Sequence, residues 1–419
     1  MRYITDWHVH SRFSRACSQN LTLENNALWC QKKGVNVLGT ADFTHPVWFG
    51  ELETKLVEQE PGLYKLADGQ FPDMRYMLTT EVSQIYKKND KTRRIHNLIL
   101  APSLDTVRKT NAWLLDKGFN LKADGRPILG LDSEELYKRL KDIDERTVLI
   151  PAHAWTPWFS VFGSKSGFDS LEECFGSMAP HIFAIETGLS SDALMNRSCS
   201  MLDKVSLISN SDAHSPEKFG REANVFDLEA HEFSFDGFMN VLRVRDQKKF
   251  LYTIEFYPEE GKYHVDGHAD CGIALDPTET KKLGGLCPKC KRLLTIGVMS
   301  RVAALHDREL VTVPSHHVPQ KSIVPLPEIL AEVYGVASPS SKKVVAMYEK
   351  MIATLGNEFK ILLDLSTSDI AALAGPDIAE AIRRVRAGEM SITPGYDGIY
   401  GKVKIFGENE LKQKAPTLF

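Results

Sequence analysis

Seven of the thirteen histidines precede residue 215, and six of those seven stand in short polar motifs in or beside apolar runs. They are His8 and His10 in DWHVHS, His45 in ADFTHP, His96 in RIHNL, His153 in PAHAW and His214 in NSDAHSP. Three carboxylates accompany them: Asp42 in TADF, Glu81 in TTEVS and Asp212 in SDAH. His-x-His on a strand sends both imidazoles to one face, because side chains alternate with period two, and Asp212-x-His214 shares that geometry. So many ionisable groups gathered in a buried place would be strongly unfavourable without cations to neutralise them. The set His8, His10, Asp42, Glu81, His96, His153, Asp212 and His214 therefore reads as a multinuclear metal centre, with Glu81 a natural bridging carboxylate. Imidazole mixed with carboxylate suits zinc, manganese or iron rather than calcium. Metals held close together activate a water and clamp the attacking and leaving oxygens of a phosphoryl group. With no Gly-rich nucleotide fingerprint in the chain, metal-assisted phosphoester hydrolysis is the expected chemistry, with zinc at the centre and manganese or magnesium as alternatives.

A second cluster lies further on. CPKC places Cys287 and Cys290 two residues apart, and His268-x-x-Cys271 mirrors that spacing. Paired ligands separated by a loop indicate a zinc site, and four protein ligands leave no open position, so this one is expected to be structural. His264 competes with His268 for the fourth place. Cys17, Cys30, Cys174 and Cys199 are scattered and read as small buried residues, and the odd total of seven does not resemble a disulfide framework. A reducing, cytoplasmic setting fits all seven.

The elements that must position these groups follow from the apolar pattern. VNVLGT (35–40), RYMLTT (75–80), IHNLILAP (95–102), TVLIPAHA (147–154), IFAIET (182–187) and VSLISNSDAH (205–214) read as buried parallel strands. Amphipathic stretches such as EELYKRLKDID (134–144) lie between several of them, which points to an α/β fold with its ionisable residues at the carboxyl edge. Three units are expected: 1–225 as the catalytic metal domain, 226–300 as a connecting and zinc-knuckle module, and 301–419 as a mainly helical domain closed by the Gly-rich PGYDGIYGKVKIF (394–406). A formal net charge of -4 over 419 residues excludes a uniformly basic nucleic-acid coat, and no apolar run approaches membrane-spanning length.

Taken in order, HVH, the Asp after the second strand, Glu81, His96, His153 and Asp212-x-His214 resemble the polymerase-and-histidinol-phosphatase (PHP) superfamily. That resemblance implies a distorted (β/α) barrel with a trinuclear metal site and phosphoesterase activity over residues 1–225. One position departs from it: the superfamily usually has a His directly after the second-motif Asp, whereas Phe43 stands here and His45 follows two residues later. Longer stretches, including HSRFSRACS, GTADFTHPVW, PAHAWTPWFSVFGSKSGFDSLEECFG and SNSDAHSPEKFGREAN, are similar to endonuclease Q. The similarity runs through the Cys/His segment into PGYDGIYGKV. It implies a DNA repair nuclease that nicks on the 5′ side of deaminated bases (uracil, hypoxanthine, xanthine) or abasic sites.

A nucleic acid needs phosphate and base contacts. The loop after His153 interleaves Trp155, Trp158, Phe159 and Phe162 with Ser164 and Lys165, a pattern that suits stacking and phosphate binding or, equally, core packing. Arg12 and Arg15, just beyond the HVH motif, and the run KKNDKTRR (87–94), expected to face the same mouth as His96, are further phosphate contacts, and Tyr396 in the Gly/Tyr-rich PGYDGIYGK is a candidate for the base pocket, where a tight hairpin explains the glycines as well. The tail ENELKQKAPTLF is loosely similar to sliding-clamp-binding peptides, although a frayed terminus explains it as well. Two other readings compete: a small-molecule phosphatase of the same superfamily, and a non-catalytic DNA-damage-binding protein that keeps metals for structure alone.

Overall fold

The structure, a computed structural model, describes residues 1–310, 312–407 and 410. The tail expected to bind a sliding clamp falls almost wholly outside the described residues. Twelve strands build the first part of the chain: β1 (Arg2–Asp6), β2 (Val37–Gly39), β3 (Leu56–Glu60), β4 (Leu63–Leu66), β5 (Arg75–Lys88), β6 (Lys91–Ala101), β7 (Ile128–Leu129), β8 (Val148–Pro151), β9 (Ala184–Glu186), β10 (Ser206–Ile208), β11 (Ala223–Asp227) and β12 (Phe250–Glu255). β1, β2 and β5 are parallel neighbours, β6 pairs with β5, and β8 pairs with β6. β9 and β10 form a parallel pair that closes the ring. On one side Ala154 donates its amide to the Glu186 carbonyl at 2.9 Å, and on the other a parallel bridge joins Val9 to Ala213. The result is a distorted α/β barrel.

The barrel interior is packed, and every ring strand except β1 gives it a side chain: Val37, Met77, Leu98, Ile150, Ala184 and Ile208, all at most 1 % exposed, with Trp7 just past the end of β1. Alternation then carries the same inward faces up to polar residues. Met77, Thr79 and Glu81 share one face of β5, and Leu100, Leu98 and His96 share one face of β6. The apolar core is thus the floor on which the ionisable groups stand. The amphipathic segment at 134–144 forms the helix Ser133–Ile143. Asp132 caps it by accepting from the Glu134 amide at 2.7 Å, and Leu136, Tyr137 and Leu140 face inward.

Two expectations about this region need correction. Residues 95–102 are not a parallel strand: β6 runs antiparallel to β5 over the register Leu78–Ala101 to Lys88–Lys91. An apolar run alone does not fix strand direction, and Asn89 and Asp90, at φ 54° and 56°, supply the tight two-residue turn that reverses the chain. That turn carries KKNDKTRR away from the barrel. Its tip lies seven or more residues beyond Glu81, about 25 Å at strand spacing, so the charges at the tip do not line the mouth beside His96, whereas Arg94, opposite Ile85, stays two residues from His96 on the same face of β6. The main sheet also continues past residue 225, since β11 pairs with β1, β12 with β11, and Gln320–Ser322 with β12.

Beyond the barrel, Asp266–His268 and Ile273–Leu275 form a small hairpin bearing the Cys/His segment. The helices Leu326–Val333, Lys342–Leu355, Thr367–Ala374 and Pro376–Ala387 follow. Gly375, at φ 93°, followed by Pro376, breaks the last long amphipathic pattern into two helices. A buried ion pair ties this module to the barrel, with Lys33 Nζ 2.7 Å from Glu358. Glu358 also accepts from the Tyr348 hydroxyl and the Leu326 amide, each at 2.9 Å, so its charge is compensated where water is excluded.

Glu255, at the end of β12, and Glu222 are each 1 % exposed, and each has one carboxylate oxygen without a partner among the described residues. Burial raises the Glu255 carboxyl to about 8, and Glu222 is pushed well above its ordinary value by burial and by Glu255. Folded Glu255 therefore stays protonated up to about pH 8, whereas the unfolded chain ionises it near its ordinary value, so stability falls as pH rises through that window. Glu255→Gln should remove the loss. Thermal melts should show little gain in Tm near pH 4 and a gain of several degrees near pH 8, whereas a pH-independent difference would contradict the assignment.

Candidate metal centre

Glu81 is fully enclosed, and each of its carboxylate oxygens faces a different group of imidazoles. Oε2 lies 3.4 Å from His8 Nε2 and 3.3 Å from His10 Nε2, while Asp212 Oδ1 stands 3.0 Å from His10 Nε2 and 3.7 Å from His8 Nε2. Oε1 lies 2.5 Å from His96 Nδ1 and 3.2 Å from His153 Nε2, and these two ring nitrogens are 3.3 Å apart. The donor atoms of His8, His10, Glu81 and Asp212 all fall within 4.8 Å of one another, as do those of Glu81, His96 and His153. This is the spacing of two adjacent cation sites sharing one carboxylate.

The fit to a metal rests on a donor that nothing else satisfies. His8 Nδ1 gives its proton to Glu186 at 2.9 Å, which fixes the tautomer and turns Nε2 toward Glu81 and Asp212. That Nε2 is buried and has no hydrogen-bond partner among the described residues. The electrostatics agree. Burial favours neutral His8, yet Glu186 and Glu81 outweigh it and hold its pKa well above the ordinary value. His10 is raised in the same way against burial, by Asp212, Asp42 and Glu81. Glu81 stays ionised in spite of burial because of His96, Arg126 and His8. The cavity demands positive charge, which protons or cations supply.

Two of the eight predicted ligands stand outside both groups. Asp42 is one step back: Oδ2 accepts from the Ser11 amide (2.8 Å), the Ser11 hydroxyl (2.6 Å) and the Ser14 hydroxyl (2.8 Å), and Oδ1 lies 3.4 Å from His10 Nδ1. It orients His10, as Glu186 orients His8. The His214 ring lies tilted at 58° against His10, centroids 4.5 Å apart, with Nδ1 2.9 Å from the Asp212 carbonyl. His45 does not replace the histidine that Phe43 displaces. It caps the helix Pro46–Lys55 and stacks on Phe13 at 4.3 Å, while Phe43 is buried in the core. Asp42, His153 and Asp212 all hold φ between 31° and 46°, sparsely populated for such residues and a cost of about 1–3 kcal/mol each that the surrounding contacts must offset.

Sequence reasoning missed Glu186, Asn210 and Arg126. Glu186 accepts from the His153 amide (2.8 Å) and the Asn210 side chain (2.9 Å) as well as from His8. Its signal was present: an acid ending the apolar strand IFAIET. Arg126 comes from a loop with no periodic pattern, and its Nη1 donates to Glu81 Oε2 at 2.9 Å.

At the second cluster, His268, Cys271, Cys287 and Cys290 gather within 4.8 Å, with Cys290 Sγ 3.9 Å from His268 Nδ1. His264 is not among them. It is buried nearer Asp192, and burial holds its pKa down at about 4.

The expected DNA contacts divide. Trp155 is fully buried and donates its indole N–H to Asn196 at 2.7 Å, so it packs the core and cannot stack on a base. Trp158 is 37 % exposed and meets Tyr263 edge-on at 5.5 Å, with Lys262 over the rings of Tyr263 and Tyr400. Ser164 and Lys165 line a polar cleft of about 560 Å³ against the β5–β6 tip. Arg12 is engaged with Glu51 at 2.5 Å. Tyr396 packs against Gly267 in the hairpin that bears the Cys/His cluster, where even a Cβ would lie 2.5 Å from the ring.

A closed α/β barrel with two groups of imidazoles about one carboxylate on its rim agrees with the PHP-type fold that the sequence motifs resemble. Over its full length the chain is similar to the lesion-specific endonuclease PfuEndoQ from Pyrococcus furiosus, at TM-score 0.85 and 29% identity, covering 98% of that structure. It matches an Endonuclease Q complex with a 27-mer duplex carrying an abasic lesion at TM-score 0.85 and 30% identity, covering 99%. The chain belongs to the endonuclease Q family. It is also 30% identical over 385 residues to the uncharacterized protein YqxK of Bacillus subtilis, covering 89% of this chain and 90% of that one. Identity to the uncharacterized protein MJ0043 of Methanocaldococcus jannaschii is 30% over 253 residues, only 31% of that longer protein. Residues 325–389 match the MJ0043 C-terminal domain family.

The two clusters should separate by elemental analysis. Glu81→Gln should strip the rim centre and leave one metal per chain, and Cys290→Ser should remove that remaining ion while sparing the rim. Equal losses in both variants would mean that the sites are not independent.

Proposed function

We propose that this chain is a metal-dependent DNA repair endonuclease that nicks duplex DNA on the 5′ side of deaminated bases or abasic sites. The observation that carries the reading is the full-length match, barrel, knuckle and helical module together, to an Endonuclease Q holding an abasic duplex. Residues 1–225 supply the core of the catalytic domain, 226–300 the connection and knuckle, and the remainder the DNA-gripping helices. Zinc fits the knuckle, zinc, manganese or magnesium fits the rim, and the cytoplasm is the expected compartment. No helix among the described residues is long and apolar enough to cross a membrane.

His8, His10 and Asp212 would hold one cation and His96 and His153 another, with Glu81 within reach of both groups. When bound, the metals supply Lewis acidity that activates water and neutralises the phosphoryl oxygens. Asp42 and Glu186 keep the imidazoles in register, and their locked hydrogen bonds remove reorganisation from the reaction step. Arg126 holds Glu81 through Nη1 and has further donors in a planar fork suited to a phosphoryl oxygen. The exposed rings of Trp158 and Tyr400, with half-buried Tyr263 beside them, offer stacking faces that a small phosphomonoester would not need.

End-labelled duplexes with one uracil, hypoxanthine or abasic site should be cut once, 5′ to the lesion, while the undamaged duplex stays intact. Asp212→Ala should abolish the cut. Arg126→Ala should lower kcat by about 10²–10³-fold with metal content unchanged, as for loss of one preorganised donor. Phosphate release from small phosphomonoesters without any nicking would instead favour the phosphatase, and tight lesion binding without either activity the non-catalytic reader. Trp158→Ala should weaken lesion binding by about tenfold, on the basis of one stacked base.

A further inference from the structure

A second polar cavity, of about 350 Å³, lies on the far side of the barrel from the metals. It is lined by Arg197, Asp203, Lys204, Arg245, His316 and His317, with neighbouring residues from β10 and the loop before Gln320. Its position follows from chain direction. Ser206, also in its wall, begins β10, whereas Asp212 follows the end of that strand six residues on, about 20 Å away at strand spacing.

The charge in this cavity is unbalanced. Three cations line it against one carboxylate, Asp203, and that carboxylate is already taken by Arg308 through two hydrogen bonds of 2.9 and 2.5 Å. Arg197 is 4 % exposed. It donates Nη1 and Nη2 to the carbonyls of Leu202 and Val205, but Nε has no partner among the described residues. His317, 8 % exposed, likewise keeps Nε2 without a hydrogen bond, 3.4 Å from Asp203 Oδ1, and its ring lies 4.3 Å from that of His316. Lys204, exposed at the entrance, has no carboxylate within ion-pair distance among the described residues.

A buried guanidinium with an idle N–H, an idle imidazole nitrogen and an excess of fixed positive charge are together complementary to an anion. We propose that this cavity binds a phosphorylated small molecule, its phosphoryl group received by Arg197, Lys204 and His317. The volume is at the small end of ligand pockets, which favours a compact ligand over a polymer, and the site faces away from the edge where DNA must lie to be cut. The crowding of cations leaves a signature in keeping with this. Arg197 is lowered to about 10 by burial and by Arg245 and Arg308 against the pull of Asp203, and His317 to about 4 by burial, Arg197 and His316. The assignment is independent of the nuclease reading.

The test is calorimetric titration of the metal-loaded protein with inorganic phosphate and, separately, with a short undamaged duplex. Lys204→Glu with His316→Ala alters only exposed side chains, and Arg197→Lys, which keeps the charge but not the Nε donor, serves as a second variant. Both should weaken phosphate binding by about tenfold or more, the value of one charge-assisted hydrogen bond, with duplex affinity and nicking rate unchanged. Identical phosphate affinity in wild type and variants, or no binding at millimolar phosphate, overturns the proposal. Loss of duplex affinity in the Lys204 variant would also overturn it, because the phosphoryl group would then belong to the DNA backbone.

Discussion

Both oxygens of one buried carboxylate, Glu81, are shared between two groups of imidazoles, and the rest of the structure answers to that arrangement. A carboxylate withdrawn from water is costly unless surrounded by cationic donors. Here His8, His10, His96, His153 and Arg126 all lie within 3.4 Å of it. Those donors come from four separate places in the chain. They meet only if the ends of β1 and β8 lie level with the middles of β5 and β6, which barrel closure enforces. The site and the barrel are therefore one construction.

Closure depends on polar pins rather than on a continuous ladder. Asp6 accepts from the Ser211 and Gly220 amides at 3.0 and 2.9 Å, which clamps the loop carrying Asp212 across the end of β1. Burial raises its carboxyl to about 6, so these bonds are made by a group near its ionisation threshold. Asn210 accepts from the Trp7 amide at 2.8 Å and donates to Glu186, which in turn holds His8 and the His153 amide. Removing one pin frees several ligands together. That explains why His153 and Asp212 tolerate left-handed backbones: the surroundings over-determine their positions.

Much of this was legible in the residues. His8, His10, His153 and Asp212 follow strand ends, Glu81 and His96 lie within β5 and β6, and alternation is a strict rule, so their convergence could be argued before any fold was known. The knuckle was equally open, because two-residue spacing leaves few geometries for four ligands. What escaped depended on tertiary context. The direction of β6 is decided by a two-residue turn, not by the apolar content of IHNLILAP. Trp155 and Trp158 sit three residues apart in one loop, yet one fills the core and the other meets solvent, a difference no local pattern encodes. Arg126 lies in an irregular loop and gains meaning only from the carboxylate it reaches.

The knuckle module is bound to the catalytic loop by a shorter route than the sequence implies. Asp266, fully buried beside His268, accepts from the Gly297 amide and the Ser300 hydroxyl at 2.7 and 2.5 Å, at the start of the helix Val298–Leu305. From that helix Arg301 donates to the carbonyls of Phe162 and Phe168 at 2.7 and 2.9 Å. These carbonyls flank Ser164 and Lys165, in the loop that begins at His153. A metal at the knuckle would stiffen the segment His268–Cys290, and Asp266 and Arg301 are rigid links from there to a loop whose first residue is a rim ligand. Such short, charge-assisted contacts tie the position of the knuckle to that of the loop after His153, beyond holding its own fold.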